Sequence, residues 1–457
     1  MKTFGLIVFI FLYVNAAIGQ TMVINSINIE GNKRTRKKVI LRELNFKVGT
    51  VIEDSSDLVA IEDFNEKRLL SIGLFNEVEV NMNGGDVQIT VNENWYIFPN
   101  PIFELADDNF NFWWFDQMRD LSRTNYGLRA EHVNLTGNRD KLVMTFQLGY
   151  RRKLELNYRF PFLDREGRWG SAINAFYDDQ RELHYKTVGN KPLFTQVNDE
   201  IVRTSFRLGG DISHRPNIFL IHNFRLEFRK ITIHPVIAQE FNPDYFLDGK
   251  TDTRYFLLDY LFAFDRREFK IFPEKGDYIR LNLRKEGLYV FDEVNNLSAE
   301  LKYERNYNYL SKLIYGYEVK GKYQLLRNQL AFVFNEAISG ADVLRGYDRF
   351  TINGSDYVFA KMDVHYKLVN HTFDISNWLK LSQFNKINLK LYLGMGFDTG
   401  YVNERFYLES NTFNNRWLYG YGPTFSIMFY NTYLFQVDYS WNHLGQGSFA
   451  FKNAISF

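Results

Sequence analysis

Chemistry in this sequence has to be sought in charge pairs, because the common reactive patterns are missing. There is no Cys, and the eight His show no ligand spacing. His214, His222 and His234 lie in or beside alternating segments, where they read as polar wall residues. HExxH, GxSxG and P-loop patterns do not occur, so no metal, cofactor or catalytic residue is expected and the chain reads as a non-enzyme. What stands out is Arg345, set in the polar loop "ADVLRGYDRF" (341–350) between a leucine and the pair Gly346-Tyr347. Two carboxylates follow it. After the loop, Val358, Ala360, Met362 and Val364 share one face, while Asp363 lies on the other with Lys361 and His365. Further on, Leu393, Met395 and Phe397 share an apolar face, and Asp398 points the opposite way. A planar guanidinium suits two carboxylates better than an ammonium does, so the chemistry on offer is a forked ion pair. Gly346 lets such a loop tip turn tightly. Taken alone, Arg345 reads equally well as a solvated surface arginine.

The elements that would carry these residues are strands. From Trp95 onward the pattern is almost entirely period two. "NFRLEFR" sets Phe224, Leu226 and Phe228 against Arg225, Glu227 and Arg229; "YIRLNLR" sets Ile279, Leu281 and Leu283 against Arg280, Asn282 and Arg284. Aromatic residues make up 17% of the chain, which suits a wall with lipid on one side and interfacial girdles at both rims. No apolar run after the N-terminus reaches the length of a helical span. Backbone groups in lipid are then satisfied only in a closed barrel. Sixteen candidate strands are expected between 99 and 457. The even number puts both barrel ends on one side, with the long connections 108–124, 179–200, 233–250, 324–355 and 401–416 on the other, outer side. One long connection, 368–386, falls on the inner side. The first strand carries Pro99 and Pro101, which remove ladder donors and favour a weak edge.

The N-terminus differs. Residues 1–19 read as a secretory signal peptide: Lys2, an apolar run from Phe4 to Val14, and the small residues Ala17 and Gly19 before Gln20. Removing Lys2 from 55 basic residues leaves 54 against 54 acidic ones, which argues against nucleic acid as a partner. Residues 20–94 read as β-α-α-β-β. Thr35 is placed to cap a first helix running to Leu44; "EDSSD" (53–57) opens a second, with Leu58, Ile61, Leu69 and Ile72 at helical spacing; two strands flank Asn83-Gly84-Gly85.

That order, with "IEGNKRT", "ILREL", "VGTVI" and "RLLSIGLFNEVEV", resembles a POTRA (polypeptide-transport-associated) domain. The remainder, 95–457, resembles the barrel of the outer-membrane assembly-and-translocation superfamily that includes BamA and TamA. Three motifs carry this. "DRREFKIFPEKGDYIRLNL" (265–283) resembles the bacterial surface antigen signature through Asp265, Arg266, Pro273 and Gly276. "LRGY" (344–347) resembles the arginine-glycine-aromatic motif of the sixth outer loop, and "GFDTGYV" (396–402) the Asp-containing motif of strand thirteen. The chain departs from the pattern in having only Gly340 ahead of the loop motif, Asp363 where Glu is common, and a single POTRA domain. The resemblance implies that the loop folds inward, so that Arg345 meets Asp363 and Asp398 in the lumen as a latch. It also implies an outer-membrane location with the POTRA domain in the periplasm, unfolded polypeptide clients, and accessory periplasmic or lipoprotein subunits. At the C-terminus Phe449, Phe451, Ile455 and Phe457 share one face and resemble the signal read by the barrel-assembly machinery. The function expected is insertion or translocation of polypeptides. The alternative is a pore or surface-antigen barrel whose POTRA domain only anchors a partner.

Overall fold

A computed structural model describes residues 21–53, 58–106, 112–164, 166–291, 294–338, 342–378, 385–408 and 411–455. The expected signal peptide, the start of the second helix in "EDSSD", and Phe457 lie outside the described residues.

The N-terminal unit contains β1 (Met22–Val23), β2 (Ser26–Glu30), α1 (Lys37–Glu43), β3 (Val51–Ile52), α2 (Leu58–Ser71), β4 (Phe75–Asn83) and β5 (Asp86–Glu93). β2 pairs parallel to β5, and β4 pairs antiparallel to it, giving the order β2-β5-β4. The alternating Ile29, Val80, Val87 and Ile89 face α1 and α2, which supply Val39, Ile40 and Leu69 to one buried core. The expected β-α-α-β-β order is present, with a short β1–β3 pairing added. Thr35 is not the helix cap. Arg36 occupies that position without a side-chain bond, and the Thr35 hydroxyl instead lies 3.1 Å from the Tyr96 hydroxyl and accepts from Asn134 Nδ2 at 2.9 Å. A tertiary partner has taken the oxygen that a local cap would use.

The barrel begins with β6 (Ile97–Leu105), β7 (Thr124–Val133), β8 (Lys141–Gly149), β9 (Arg151–Phe160) and β10 (Trp169–Gln180). An outer hairpin, β11 (Glu182–Val188) and β12 (Lys191–Gln196), stands inside the long outer connection expected over 179–200. Then come β13 (Arg203–His214), β14 (Leu220–Ile233), β15 (Asp252–Asp265), β16 (Gly276–Glu286), β17 (Asn296–Tyr309) and β18 (Leu313–Gln324). The long outer loop holds a second small hairpin, β19 (Glu336–Ile338) and β20 (Ile352–Asn353). The wall ends with β21 (Asp356–Asp374), β22 (Lys386–Asn403), β23 (Trp417–Phe429), β24 (Tyr433–Asn442) and β25 (Gly447–Ile455).

Sixteen of these strands form one antiparallel sheet running from β25 back to β6. Each expected strand has its counterpart in the sheet. The faces divide as lipid demands: on β14, Leu226 is 49% exposed and Glu227 only 3%. Apolar groups outside and charges inside is the inverse of a soluble sandwich, and it marks a transmembrane barrel. β6 and β25 line the same cavity, so the sheet wraps around a lumen. Among the described residues, however, no ladder hydrogen bond joins these two strands.

The inner connection expected over 368–386 begins as strand, with β21 running on to Asp374 and β22 starting at Lys386. Past a bulge between Lys367 and Val369, β21 and β22 stay paired down to Asp374 and Lys386. At 19 residues β21 far exceeds the ~9–11 that cross a bilayer. The excess projects on the inner side, where Lys386 Nζ meets Glu77 of β4 at 2.5 Å.

The POTRA unit is seated in the inner mouth of the barrel. Its core continues into Phe98, Val133 and Phe162 of the barrel. At the joint, Glu43 is 1% exposed and takes Arg215 at 2.6 and 2.9 Å, Arg139 at 3.0 Å and Arg68 at 3.2 Å. Burial alone would raise its carboxyl; the guanidiniums of Arg215, Arg139 and Arg68 outweigh burial and hold it well below the usual carboxylate range. This contribution to docking is full above the ordinary glutamate pKa of about 4.3 and is lost only as pH falls through the depressed value. Glu43→Gln should therefore weaken docking by about 3 kcal/mol, the low end for a broken buried pair because Arg139 still touches water. Hydrogen exchange should show α1 and α2 released while the barrel amides stay protected. In the native chain the same release should wait until pH falls well below the ordinary glutamate range.

Candidate functional site

The outer loop 325–355 turns inward, and its tip rests on the inner faces of β21 to β25. Arg345 is 6% exposed. Its Nη1 donates to Asp398 Oδ1 at 2.5 Å and its backbone N–H to Asp398 Oδ2 at 2.9 Å, while Nη2 donates to Asp363. One guanidinium thus spans carboxylates from two neighbouring strands. A third, Asp438 of β24, adds to the negative field around it and is neutralised in turn by Lys452 at 2.9 Å.

The space for this fork comes from glycines opposite it. A Cβ on Gly396 would lie 2.1 Å from Arg345 Cζ, and one on Gly420 only 1.8 Å from the Arg345 carbonyl oxygen. Gly346 has φ +79, and its N–H donates to Ser440 Oγ at 3.0 Å. Its carbonyl accepts from Asn442 Nδ2 at 3.0 Å. Tyr347 is fully buried; its hydroxyl donates to the Tyr419 carbonyl at 3.2 Å and lies 2.5 Å from His443 Nδ1. Leu344 and Tyr347 pack with Phe359, Val402, Phe413 and Leu418 in an apolar layer. The polar fork is therefore bolted to a dry plate that limits competition from water.

A second segment enters from the inner side. The turn 266–275, which holds most of the surface antigen signature, stacks Phe272 on Tyr392 at 4.3 Å and edge-on to His365 at 5.1 Å. Glu274 accepts from Tyr392 at 2.9 Å and Lys367 at 2.5 Å. His365 Nε2 lies 3.8 Å from Asp363 Oδ1, so the inner and outer insertions meet at this pair. Asp265 of the signature is held by Arg267, at 2.9 Å to each of its oxygens, rather than by Arg266. A cavity of about 820 Å³ remains beside the insertions, reaching Glu104 of β6, Arg151, Arg203, and Ala450 and Lys452 of β25.

The structure brings Arg345, Gly346, Tyr347, Asp363 and Asp398 together. Phe449 and Phe451 stand apart on β25, 49% and 62% exposed, while the Ile455 side chain and Phe457 lie outside the described residues. Gly396, Gly420, Ser440, Asn442, His443 and Asp438 were not legible as site residues. Gly396 alone carried a signal, since it opens the "GFDTG" motif.

Comparison with known proteins bears on the same two parts. Residues 22–94 match the POTRA family, described as a surface antigen variable number repeat. BamA from Haemophilus ducreyi lacking POTRA domains 1–3 superposes with TM-score 0.54 at 12% identity, over 95% of this chain and 84% of that one. The chain has a BamA-type fold with a single POTRA domain. CdiB from Escherichia coli is similar too, with TM-score 0.58 at 10% identity, covering 95% of this chain and 76% of CdiB. CdiB from Acinetobacter baumannii gives 0.50 at 14%, covering 96% and 74%. No curated protein matches at the level of sequence. At these identities the BamA-type likeness speaks for the fold, and the role of the fork has to be argued from its geometry.

That geometry makes a test. Arg345→Ala should free the loop tip and raise protease cleavage within 342–350, with the barrel still inserted. Arg345→Lys should restore protection only in part, because a point charge cannot span both carboxylates. Gly396→Ala should act like Arg345→Ala without removing any charge. A double-mutant cycle between Arg345 and Asp398, read as loop protection, should give a coupling of about 1–3 kcal/mol; additive effects would separate the two residues.

Proposed function

We propose that this chain is a non-enzymatic outer-membrane barrel that inserts or translocates unfolded polypeptides, with its POTRA domain in the periplasm. The observation that carries the reading is a lumen filled from both ends beside a seam with no ladder bonds among the described residues. A standing pore needs the opposite, an open lumen and a sealed wall. Nine consecutive positions of β6 keep their β7 partners, which fits prolines 99 and 101 whose nitrogens face the seam. An incoming strand would find few competing donors there. The fold shared with BamA and CdiB supports the same reading.

The client would first meet the POTRA sheet through backbone pairing. Its two edges differ. On β4 the N–H groups of Val80 and Met82 already donate to Glu66 at 2.9 Å and Glu62 at 2.7 Å. On β2 no backbone group is paired on the side away from β5, among the described residues. Strand addition is therefore assigned to Ser26–Glu30. The latch formed by Arg345, Asp363 and Asp398 holds the outer loop inside while the client is guided to the seam.

Photocrosslinkers at Ser26 and Asn28, and at Phe103 on β6, should capture unfolded outer-membrane polypeptides in living cells, and one at the exposed Asn81 of β4 much less. In planar bilayers the native protein should stay closed, and Arg345→Ala should conduct. Steady conductance by the native protein with no captured polypeptide would overturn the reading in favour of a pore.

A further inference from the structure

The consecutive residues Asp348 and Arg349 leave the loop tip in opposite directions. Asp348 accepts from Ser448 Oγ of β25, the last strand, at 2.8 Å. Arg349 donates through Nε and Nη2 to Asp116 Oδ2 at 3.1 and 2.8 Å. Asp116 belongs to the outer connection between β6 and β7, at the other side of the seam. The base of that connection continues the β6–β7 ladder, with Ala106 N donating to the Arg123 carbonyl at 2.8 Å, and within it Trp113 Nε1 donates to the Asp120 carbonyl at 2.8 Å. Lys191, the first residue of β12, also donates to Asp116. The next turn of the loop is held there as well, since Thr351 N donates to the Asn190 carbonyl at 3.0 Å. Between β6 and β25 themselves, no backbone bond is made among the described residues.

We infer that residues 348–349 form a clasp that holds the seam shut from the lumen side, one residue gripping each edge. The Arg345 fork sets the clasp in place, because it fixes the backbone three and four residues upstream against β21 and β22. A side-chain clasp suits a wall that must part: two groups let go together, whereas a ladder would have to unzip bond by bond. The guanidinium also lies 5.2 Å from the Phe115 ring, a further contact with the same connection. The inference rests on the assembly reading only for its purpose, the timed admission of a client; the closed state it describes stands without a client.

The test measures the seam directly. The chain has no native Cys, so spin labels at Phe103→Cys on β6 and Val437→Cys on β24 report one distance in purified protein in liposomes, without client. Arg349→Ala and Asp116→Ala should each shift the distribution to longer distances, Asp116→Ala by somewhat more because it also releases Lys191. The double variant should shift it no further than Asp116→Ala alone, since that change already removes the Arg349 contact. Lys191→Ala should have a smaller effect. Arg349→Lys should recover part of the short distance. Unchanged distances in Arg349→Ala and Asp116→Ala, or additive shifts in the double variant, would overturn the clasp. If the distances respond as stated while client capture in cells stays at the native level, the clasp stands and the assembly reading falls.

Discussion

A guanidinium buried away from bulk water is tolerated only where carboxylates meet it in good geometry. Much of the C-terminal half of the barrel is arranged to meet that condition for Arg345. Asp363 and Asp398 come from adjacent strands, and Gly396 and Gly420 clear the volume the side chain and its carbonyl occupy. Ser440 and Asn442 bind the following peptide, and an apolar layer seals the rear. Without the charge at 345 the carboxylates would repel one another, and the glycines opposite would leave a void. The loop and the wall are thus specified together.

The same Asp363 connects the outer insertion to the inner one through His365 and Phe272. Below the turn that carries Phe272, the POTRA domain closes the inner mouth around Glu43. The loop, the turn and the POTRA domain share one mode of attachment. Each is held by a cluster in which one sign of charge is surrounded by the other: Arg345 between aspartates, Glu274 among lysines, Glu43 among arginines. Opposite charges in contact offset part of the cost of taking each central charge out of water.

The strands and the POTRA elements were legible because they obey local rules. Alternation places Leu226 outside and Glu227 inside whatever the neighbours are, and the same parity set Asp363 and Asp398 toward the lumen. Three features were hidden because they depend on partners far away in sequence. Thr35 looked like a helix cap until Tyr96 and Asn134 claimed its hydroxyl. The segment 368–386 looked like a loop, since nothing in its composition says that β21 and β22 continue to pair beyond the membrane. The hairpin β11–β12 is anchored through Asn190 to Asn411, more than two hundred residues away. Motif resemblance pointed to Arg345, yet it was silent on Glu43, which lies inside the quoted stretch "ILREL" and is addressed by two barrel arginines together with Arg68 of α2.

The position of the loop in the chain dictates an order of assembly. Its tip touches β21, β22, β23, β24 and β25, all of which are synthesised after it. The loop therefore has no complete seat until the last strand is present, and its contacts are non-local ones that form late. Completion of the loop's seat thus coincides with placement of the C-terminal strand, which supplies its last partner, Ser448.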